Sequence, residues 1–306
     1  MEKISTYDNI RFMEKLITPY CTDFGEPNII IKRFPDAESY VLVPEIESLK
    51  NKKITIYHRL YPKPNRRIFE LLLMLSCLNK QTKNIELFIP YLPYARQDRE
   101  NKKGEAVSAD MLCEILRLYG VKKLITYDCP FLPRPGYFER QRLEIENRSA
   151  GPLLLIYAKK YFDEMGEEFV VVSPDERASY FTENAKGQLK HSLKKIRGES
   201  KENGEETGIH ADIDTMEGEI DVEGKNVCIL DDIISTGGTI IRAIEHLKAR
   251  GAKKIIVGAT HGVFAGQRIA EKILNSSCSE LFISDAILVN DISFDTLVEV
   301  LKLPKS

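Results

Sequence analysis

The stretch Asp231-Asp232-Ile233-Ile234-Ser235-Thr236-Gly237-Gly238-Thr239 decides the fold of this chain. The apolar residues 227–230 precede it and predict a buried strand. Apolar residues recur at helical spacing from Ile240 until Gly251, which predicts a helix. The stretch therefore joins a strand to a helix, and α/β folds are built from such connections.

This connection has the composition of a phosphate-binding turn. Backbone N–H groups at a helix N-terminus lack intrahelical acceptors and lie at the positive end of the helix dipole. Asp231 and Asp232 accept hydrogen bonds when ionised, and a ribose cis-diol offers two donors. The residues that can surround the 5-phosphate of such a sugar are Ser235, Thr236, Gly237, Gly238 and Thr239. An ordinary helix N-cap with a tight turn uses the same small polar residues.

A second segment is rich in forked cations. It reads Pro90-Tyr91-Leu92-Pro93-Tyr94-Ala95-Arg96-Gln97-Asp98-Arg99 and is followed by Gly104-Glu105-Ala106-Val107-Ser108-Ala109. Arg96 and Arg99 can each donate two hydrogen bonds to a polyphosphate, and Gln97 and Asp98 can orient them. A solvated charged turn after a strand is the alternative interpretation.

Both segments resemble those of PRPP synthetases, the ribose-phosphate diphosphokinases, of the archaeal type. The Asp231–Thr239 stretch also resembles type I phosphoribosyltransferases, but these have no counterpart of the Arg96–Arg99 segment. Further matches occur in the order of the family, and they are Phe34-Pro35-Asp36-Ala37-Glu38, Val171-Val172-Ser173-Pro174-Asp175, Leu193-Lys194-Lys195-Ile196-Arg197 and Thr260-His261-Gly262-Val263-Phe264.

The resemblance implies that the β,γ-diphosphoryl group of ATP is transferred to ribose 5-phosphate. It implies that Lys195 and Arg197 are catalytic and that Asp128 and Asp175 anchor Mg²⁺. The ATP-binding residues would be Phe34, Asp36, Glu38, Arg96, Gln97, Asp98 and Arg99. The residues binding ribose 5-phosphate would be Asp175, Asp231, Asp232, Ser235, Thr236, Gly237, Gly238 and Thr239. The Phe34 loop of the family reaches the adenine of a neighbouring subunit, which implies a homo-oligomer, a dimer or higher.

Three positions depart from the family. Pro130, two residues after Asp128, stands where the family has a metal-site histidine, Arg177 stands near Asp175 where the family has a glycine, and Ala37 also replaces a glycine. These departures leave a second hypothesis open, a catalytically weak or inactive regulatory subunit. A phosphoribosyltransferase is a third and less favoured one.

The alternation of strand and helix patterns predicts an α/β fold of two similar domains with largely parallel sheets, like that of type I phosphoribosyltransferases. We expect the domains to span residues 1–150 and 151–289. A final helix within residues 290–306, centred on 294–301, should pack back on the first domain. The polar stretch 198–218 predicts a mobile lid or a solvated linker.

Composition is consistent with a cytoplasmic enzyme. The 44 Lys and Arg residues nearly balance the 46 Asp and Glu residues, so no basic field predicts a nucleic-acid partner. No apolar run approaches the length of a membrane span. The six cysteines are scattered without a C-x-x-C pair, which favours reduced thiols over a disulfide framework.

Overall fold

The computed structural model describes residues 13–174, 178, 180–181, 190–192, 194–197, 214–217, 221–287 and 298–304. For 13, 190–192, 194–197 and 214–217 it describes the backbone alone. Contacts divide these residues into two compact units. The first contains 13–149 with 286, 287 and 304, and the second contains the described residues between 150 and 285 together with 298–303.

Among its described residues, the first unit contains eight strands and two helices, and six of the strands form one sheet. Its strands are β1 (Met13–Ile17), β2 (Ile30–Arg33), β3 (Ser39–Leu42), β4 (Lys53–Tyr57), β5 (Ile85–Phe88), β6 (Val121–Tyr127), β7 (Gly136–Arg140) and β8 (Leu143–Arg148). Its helices are α1 (Pro64–Leu78) and α2 (Ser108–Leu118), with 3-10 turns at Thr22–Phe24 and Ile46–Leu49.

The strand order in this sheet is β1-β4-β5-β6-β8-β7. Neighbouring strands are parallel except for the antiparallel pair of β7 with β8. Alternate strand residues such as Ile54 and Leu87 face α1 and α2, where they pack with Leu75 and Leu116 in one core. β2 and β3 form a separate antiparallel hairpin.

The second unit has a doubly covered sheet. Its strands are β9 (Phe169–Ser173), β10 (Lys190–Ser192), β11 (Lys194–Arg197), β12 (Asp214–Glu217), β13 (Asn226–Ile234), β14 (Lys254–Gly262), β15 (Glu280–Ser284) and β16 (Val298–Leu301). Its described helices are α3 (Gly151–Asp163), α4 (Gly238–Ala249) and α5 (Ile269–Asn275).

Six of these strands form one sheet in the order β10-β9-β13-β14-β15-β16, and every neighbouring pair is parallel. Val227 and Ile229 of β13 pack on the face covered by α4 and α5. Cys228 and Leu230 pack on the opposite face, against α3. Because both faces are buried, the strand is a continuous apolar run. Two sheets with mostly parallel strands confirm the predicted α/β fold.

The predicted C-terminal helix is wrong over its described part. Val298–Leu301 is a strand that pairs with β15 inside the second unit, whereas we expected a helix packed on the first. β-Branched residues favour a pleated strand. Val298 and Val300 pack on one face of the sheet and Leu301 on the other, which is the two-residue period of a strand.

The predicted polar loop 198–218 is partly a strand. Asp214–Glu217 pairs antiparallel with Lys194–Arg197, so the end of this segment returns along β11. The remaining residues of the loop, 198–213 and 218, lie outside the described residues. No helix within the described ranges is both long and apolar enough to cross a membrane.

The turn of the β2–β3 hairpin stores local strain. The Phe34 N–H donates to Glu38 O at 2.8 Å and the Ala37 N–H donates to Phe34 O at 3.0 Å. This geometry holds Ala37 at a φ of 75°, in the left-handed region. An L-residue with a Cβ is disfavoured in that region, and glycine is not.

We therefore expect Ala37→Gly to stabilise the protein by up to about 1 kcal/mol, since relief of strain exceeds the added freedom of the unfolded chain. The measurement is the urea midpoint at unchanged slope. The matched control is Ala106→Gly, because Ala106 is exposed and is not at positive φ. The control should lose stability, and a loss at both positions would contradict the assignment of strain to Ala37.

Candidate functional site

Asp231 and Asp232 lie inside β13, near its carboxyl end. The strand continues to Ile234, four residues beyond its predicted end, with Asp231 paired to Ala259 of β14. Asp231 is buried and Asp232 is half-buried. The Asp232 N–H donates to Asp231 Oδ1 at 2.9 Å, which fixes the Asp231 carboxylate relative to the backbone of Asp232. The two acids are therefore held by a central strand and not by a loop.

The turn after β13 is shorter than the sequence suggested. Only Ser235, Thr236 and Gly237 separate the strand from α4, because Gly238 and Thr239 already belong to the helix. Gly237 occupies the N-cap with φ 78° and ψ −8°. It has no side chain to cap the first turn of α4, whose N–H groups have no intrahelical acceptor. These N–H groups begin at Gly238, six residues after Asp232.

Residues 263–265 donate hydrogen bonds to carbonyl groups at the start of this turn. The N–H groups of Val263 and Phe264 donate to Ile234 O at 3.0 and 3.1 Å, and that of Ala265 donates to Ser235 O at 3.0 Å. Carbonyl oxygens engaged in this way are turned towards protein and not towards an anion. The turn can therefore present its N–H side to a phosphate.

The two glycines of the turn have different requirements. A Cβ on Gly237 would lie 3.0 Å from Ile269 Cγ2, in addition to the unfavourable φ. A Cβ on Gly238 would meet nothing closer than Arg242 Nη1 at 3.7 Å, an ordinary contact. Protein packing therefore demands a glycine at 237 but not at 238. A glycine at 238 would allow a ligand to approach the backbone closely.

In the first unit, residues 90–99 form a turn that leaves its two arginines exposed. Arg96 has no acidic partner within the described ranges, and Arg99 Nε lies 3.9 Å from Asp98 Oδ1. The backbone between them is fixed, because the Gln97 N–H donates to Tyr94 O and the Ala109 N–H of α2 donates to Gln97 O, each at 3.1 Å. A fixed main chain thus presents two exposed cations.

Glu105 closes the loop that follows these arginines. Its Oε2 accepts the N–H groups of Asn101 and Lys102 at 2.9 and 3.1 Å, and Gln97 Nε2 lies 3.4 Å away. The bonds from the backbone of Asn101 and Lys102 lower the pKa of the Glu105 carboxyl. The carboxylate therefore organises the loop as an acceptor.

Asp128 follows β6 and is completely buried, with a φ of 34°. Its N–H donates to Arg148 O at 2.8 Å. No three His, Cys, Asp or Glu side chains converge as a metal cage in the part of the chain that the structure describes. Mg²⁺ commonly binds through one or two carboxylates together with substrate phosphates. A carboxylate at this position fits an ion that is bound partly by substrate phosphates.

Phe34, Asp36 and Glu38 are exposed on the turn of the β2–β3 hairpin. The hairpin is fastened to α1 by Ser39, whose hydroxyl donates to Glu70 Oε1 at 3.1 Å. Glu70 is completely buried and also accepts from Tyr20 Oη at 2.8 Å. Burial, as the larger cause, and the hydrogen bond to Glu70 together raise the pKa of Tyr20 to about 12. A rigid base thus supports an exposed aromatic side chain.

Three predicted site residues are not placed by the structure. Asp175 lies outside the described residues, and for Lys195 and Arg197 only the backbone is described, in β11. Their predicted roles stay predictions. Pro130, at the position of the expected histidine, is buried.

The sequence missed one residue at the arginine segment. Arg140 of β7 donates from Nη2 to Asp98 O at 2.6 Å and from Nε to Asp110 Oδ1 at 2.5 Å. It belongs to no motif, and its contacts arise only when β7 folds beside α2. No signal in a single sequence could have identified it.

Two family models and a solved structure match most of this chain. Residues 6–120 match the family model described as the N-terminal domain of ribose phosphate pyrophosphokinase. Residues 155–285 match the phosphoribosyl transferase domain. A solved phosphoribosylpyrophosphate synthetase from Mycobacterium smegmatis shares the fold with a TM-score of 0.75 and 23% identity, covering 95% of this chain and 94% of that one.

Curated relatives agree over nearly the whole length. A ribose-phosphate pyrophosphokinase of Pyrococcus furiosus is 33% identical over 278 residues, which are 90% of this chain and 92% of the relative. One of Sulfurisphaera tokodaii is 34% identical over 270 residues, with 88% and 87% covered. With both domains matched in order and identity above 30% along the chain, this protein belongs to the ribose-phosphate pyrophosphokinase family.

Proposed function

We propose that this protein is a ribose-phosphate diphosphokinase, which converts ATP and ribose 5-phosphate into PRPP and AMP. The observation that carries the proposal is the pair of acids on β13 leading into an uncapped, glycine-bounded helix entrance. Family membership supports the same reaction, since the curated relatives carry that name. In this reaction O1 of the ribose attacks the β-phosphorus, the Pα–O–Pβ bond breaks, and the hydroxyl proton is released.

Ribose 5-phosphate binds in the second unit. The 5-phosphate accepts hydrogen bonds from the backbone N–H groups between Ser235 and Thr239 and from the Ser235, Thr236 and Thr239 hydroxyls. Asp231 and Asp232 accept from the 2- and 3-hydroxyls of the sugar. Asp175 is proposed to join them. Holding the sugar at both ends fixes the direction of O1, and phosphoryl transfer depends mostly on such positioning.

ATP binds in the first unit. Arg96 and Arg99 hold the phosphates, while Gln97 and Asp98 orient the arginines. Phe34, Asp36 and Glu38 bind the adenine of a neighbouring copy, so the working form is a homo-oligomer, a dimer or higher. The exposed Phe34 on a fastened hairpin supports this role. Stacking on an aromatic ring is an efficient way to hold a base.

Lys195 and Arg197 stabilise the charge that develops on the transferred group. Asp128 and Asp175 would hold Mg²⁺ together with the ATP phosphates, and the ion would supply charge neutralisation there. The buried carboxylate of Asp128 must become accessible for this, so nucleotide binding should rearrange the turn after β6. All six cysteines are free, which supports a reducing compartment, and we place the enzyme in the cytoplasm.

A catalytically weak or inactive regulatory subunit is the second candidate. The observation that favours it is the turn after β6, where Pro130 provides no side-chain ligand atom and Asp128 is completely buried. Such a subunit would bind nucleotide and associate with an active partner without turnover. The second unit has both acids, Asp231 and Asp232, and all the small residues 235–239 of the proposed sugar-phosphate turn, and this favours the active enzyme.

AMP release from ATP, ribose 5-phosphate and Mg²⁺ distinguishes the candidates. We expect AMP and PRPP to appear in equal amounts and neither to appear with unphosphorylated ribose, because the ribose without its phosphate loses the contacts of the turn. Binding of ATP without AMP release would replace the enzyme by the regulatory subunit. Consumption of PRPP with a free base, without AMP release, would indicate a phosphoribosyltransferase.

Gly238→Ala tests the phosphate turn. The new methyl group makes only ordinary contacts in the protein, and alanine is a better helix former than glycine, so stability should be unchanged or slightly higher. The methyl group occupies space beside a bound phosphate, and the KM for ribose 5-phosphate should rise at least about tenfold with the KM for ATP unchanged.

Gly237→Ala is the contrasting variant. Its left-handed φ and the close Ile269 side chain should lower the free energy of unfolding by about 1 kcal/mol or more. Stability is measured by urea unfolding and the KM values by initial rates. An unchanged KM for ribose 5-phosphate in a well-folded Gly238→Ala variant would show that the phosphate does not bind at this turn.

A further inference from the structure

Arg140 is tethered at three points near the arginine segment. Besides its bonds to Asp98 O at 2.6 Å and Asp110 Oδ1 at 2.5 Å, its guanidinium carbon lies 4.5 Å from the centre of the Phe131 ring. The Arg140 side chain is only 20% exposed. One cation therefore joins three parts of the chain that are distant in sequence.

Each of these three parts belongs to the proposed nucleotide subsite or supports it. Asp98 lies between the two arginines that present themselves to solvent. Asp110 lies in the first turn of α2, where the neighbouring Ala109 N–H holds Gln97 O. Phe131 lies three residues after Asp128, on the turn that follows β6.

The contacts also indicate how Arg140 acts. Two of its donors are engaged by Asp110 and Asp98, and Phe131 covers the guanidinium plane, so little of it can contact a ligand. A guanidinium can donate in two directions while stacking on a ring, and an ammonium group cannot reproduce this arrangement. Its effect must therefore pass through the residues that it holds.

We propose that Arg140 is a positioning residue for ATP, which keeps the backbone between Arg96 and Arg99 in register with α2 and with the turn after Asp128. The proposal rests on the proposed function, because it assumes that this segment binds the nucleotide. It adds a residue from β7, an edge strand that otherwise contributes nothing to the subsite.

The test compares Arg140→Met and Arg140→Lys with Arg142→Met. Arg142 lies at the end of the same hairpin, is exposed and has no hydrogen bond or ion pair among the described residues. Lysine can still pair with Asp110 but cannot also hold Asp98 O in the same geometry. It therefore separates the tether on the arginine segment from general stability.

In Arg140→Met, we expect the KM for ATP to rise about tenfold or more, the usual effect of losing a hydrogen bond from a charged group. Arg140→Lys should show an intermediate rise in the KM for ATP, and its melting temperature should equal that of the wild type. The KM for ribose 5-phosphate should stay constant in both, because that substrate binds in the other compact unit. Arg142→Met should match the wild type in every respect.

A KM for ATP in Arg140→Lys and Arg140→Met equal to that of Arg142→Met would overturn the proposal. So would a parallel rise in both KM values with a lower melting temperature, which indicates a purely structural residue. Calorimetric titration with ATP and Mg²⁺ separates this outcome from failure of the proposed reaction. Wild-type protein that binds ATP more tightly than Arg140→Lys supports Arg140 even without turnover, and wild-type protein that does not bind ATP removes both proposals.

Discussion

The left-handed backbone at Gly237 is the constraint on which the proposed sugar-phosphate site depends. It turns the chain from β13 into α4 within three residues, so that an uncapped helix entrance follows a strand that carries two carboxylates. Ile269 of α5 packs beside Gly237, and the segment 263–265 takes up the carbonyls of the turn. In the proposed site the strand supplies the acceptors for a diol, and the helix supplies the donors for a phosphate. Because residues 263–265 bond the carbonyl groups of the turn, its N–H groups remain available to a ligand.

The arginine segment of the first unit follows the opposite design. There the protein fixes the main chain and leaves the side chains of Arg96 and Arg99 exposed. Glu105 accepts backbone N–H groups on one side of the segment, and Arg140 donates to a backbone carbonyl on the other. A fixed turn with exposed cations suits a polyphosphate, whose charge is spread over many oxygens, whereas a backbone cradle suits a single terminal phosphate.

The sequence predicted the parts of this molecule that follow from local pattern. Continuous apolar runs such as residues 227–230 indicated buried parallel strands, and the glycines after Thr236 indicated the turn into a helix. It failed where register or tertiary pairing decides: Asp231 and Asp232 continue the strand because β14 offers partners as far as Gly262, and Val298–Leu301 pairs with β15 instead of forming a helix. Arg140 could not be found, because its contacts depend on where β7 meets α2 and not on any spacing in the chain.

The central claim is that β13 and α4 together bind a pentose 5-phosphate. Calorimetric titration of the full-length protein with ribose 5-phosphate, 2-deoxyribose 5-phosphate and ribose tests it most directly. The account predicts saturable binding of ribose 5-phosphate, roughly tenfold weaker binding of the deoxy sugar, which lacks one donor for the paired acids, and no measurable binding of ribose. Equal affinity for ribose and its 5-phosphate, or no heat with either phosphate ester, would contradict it.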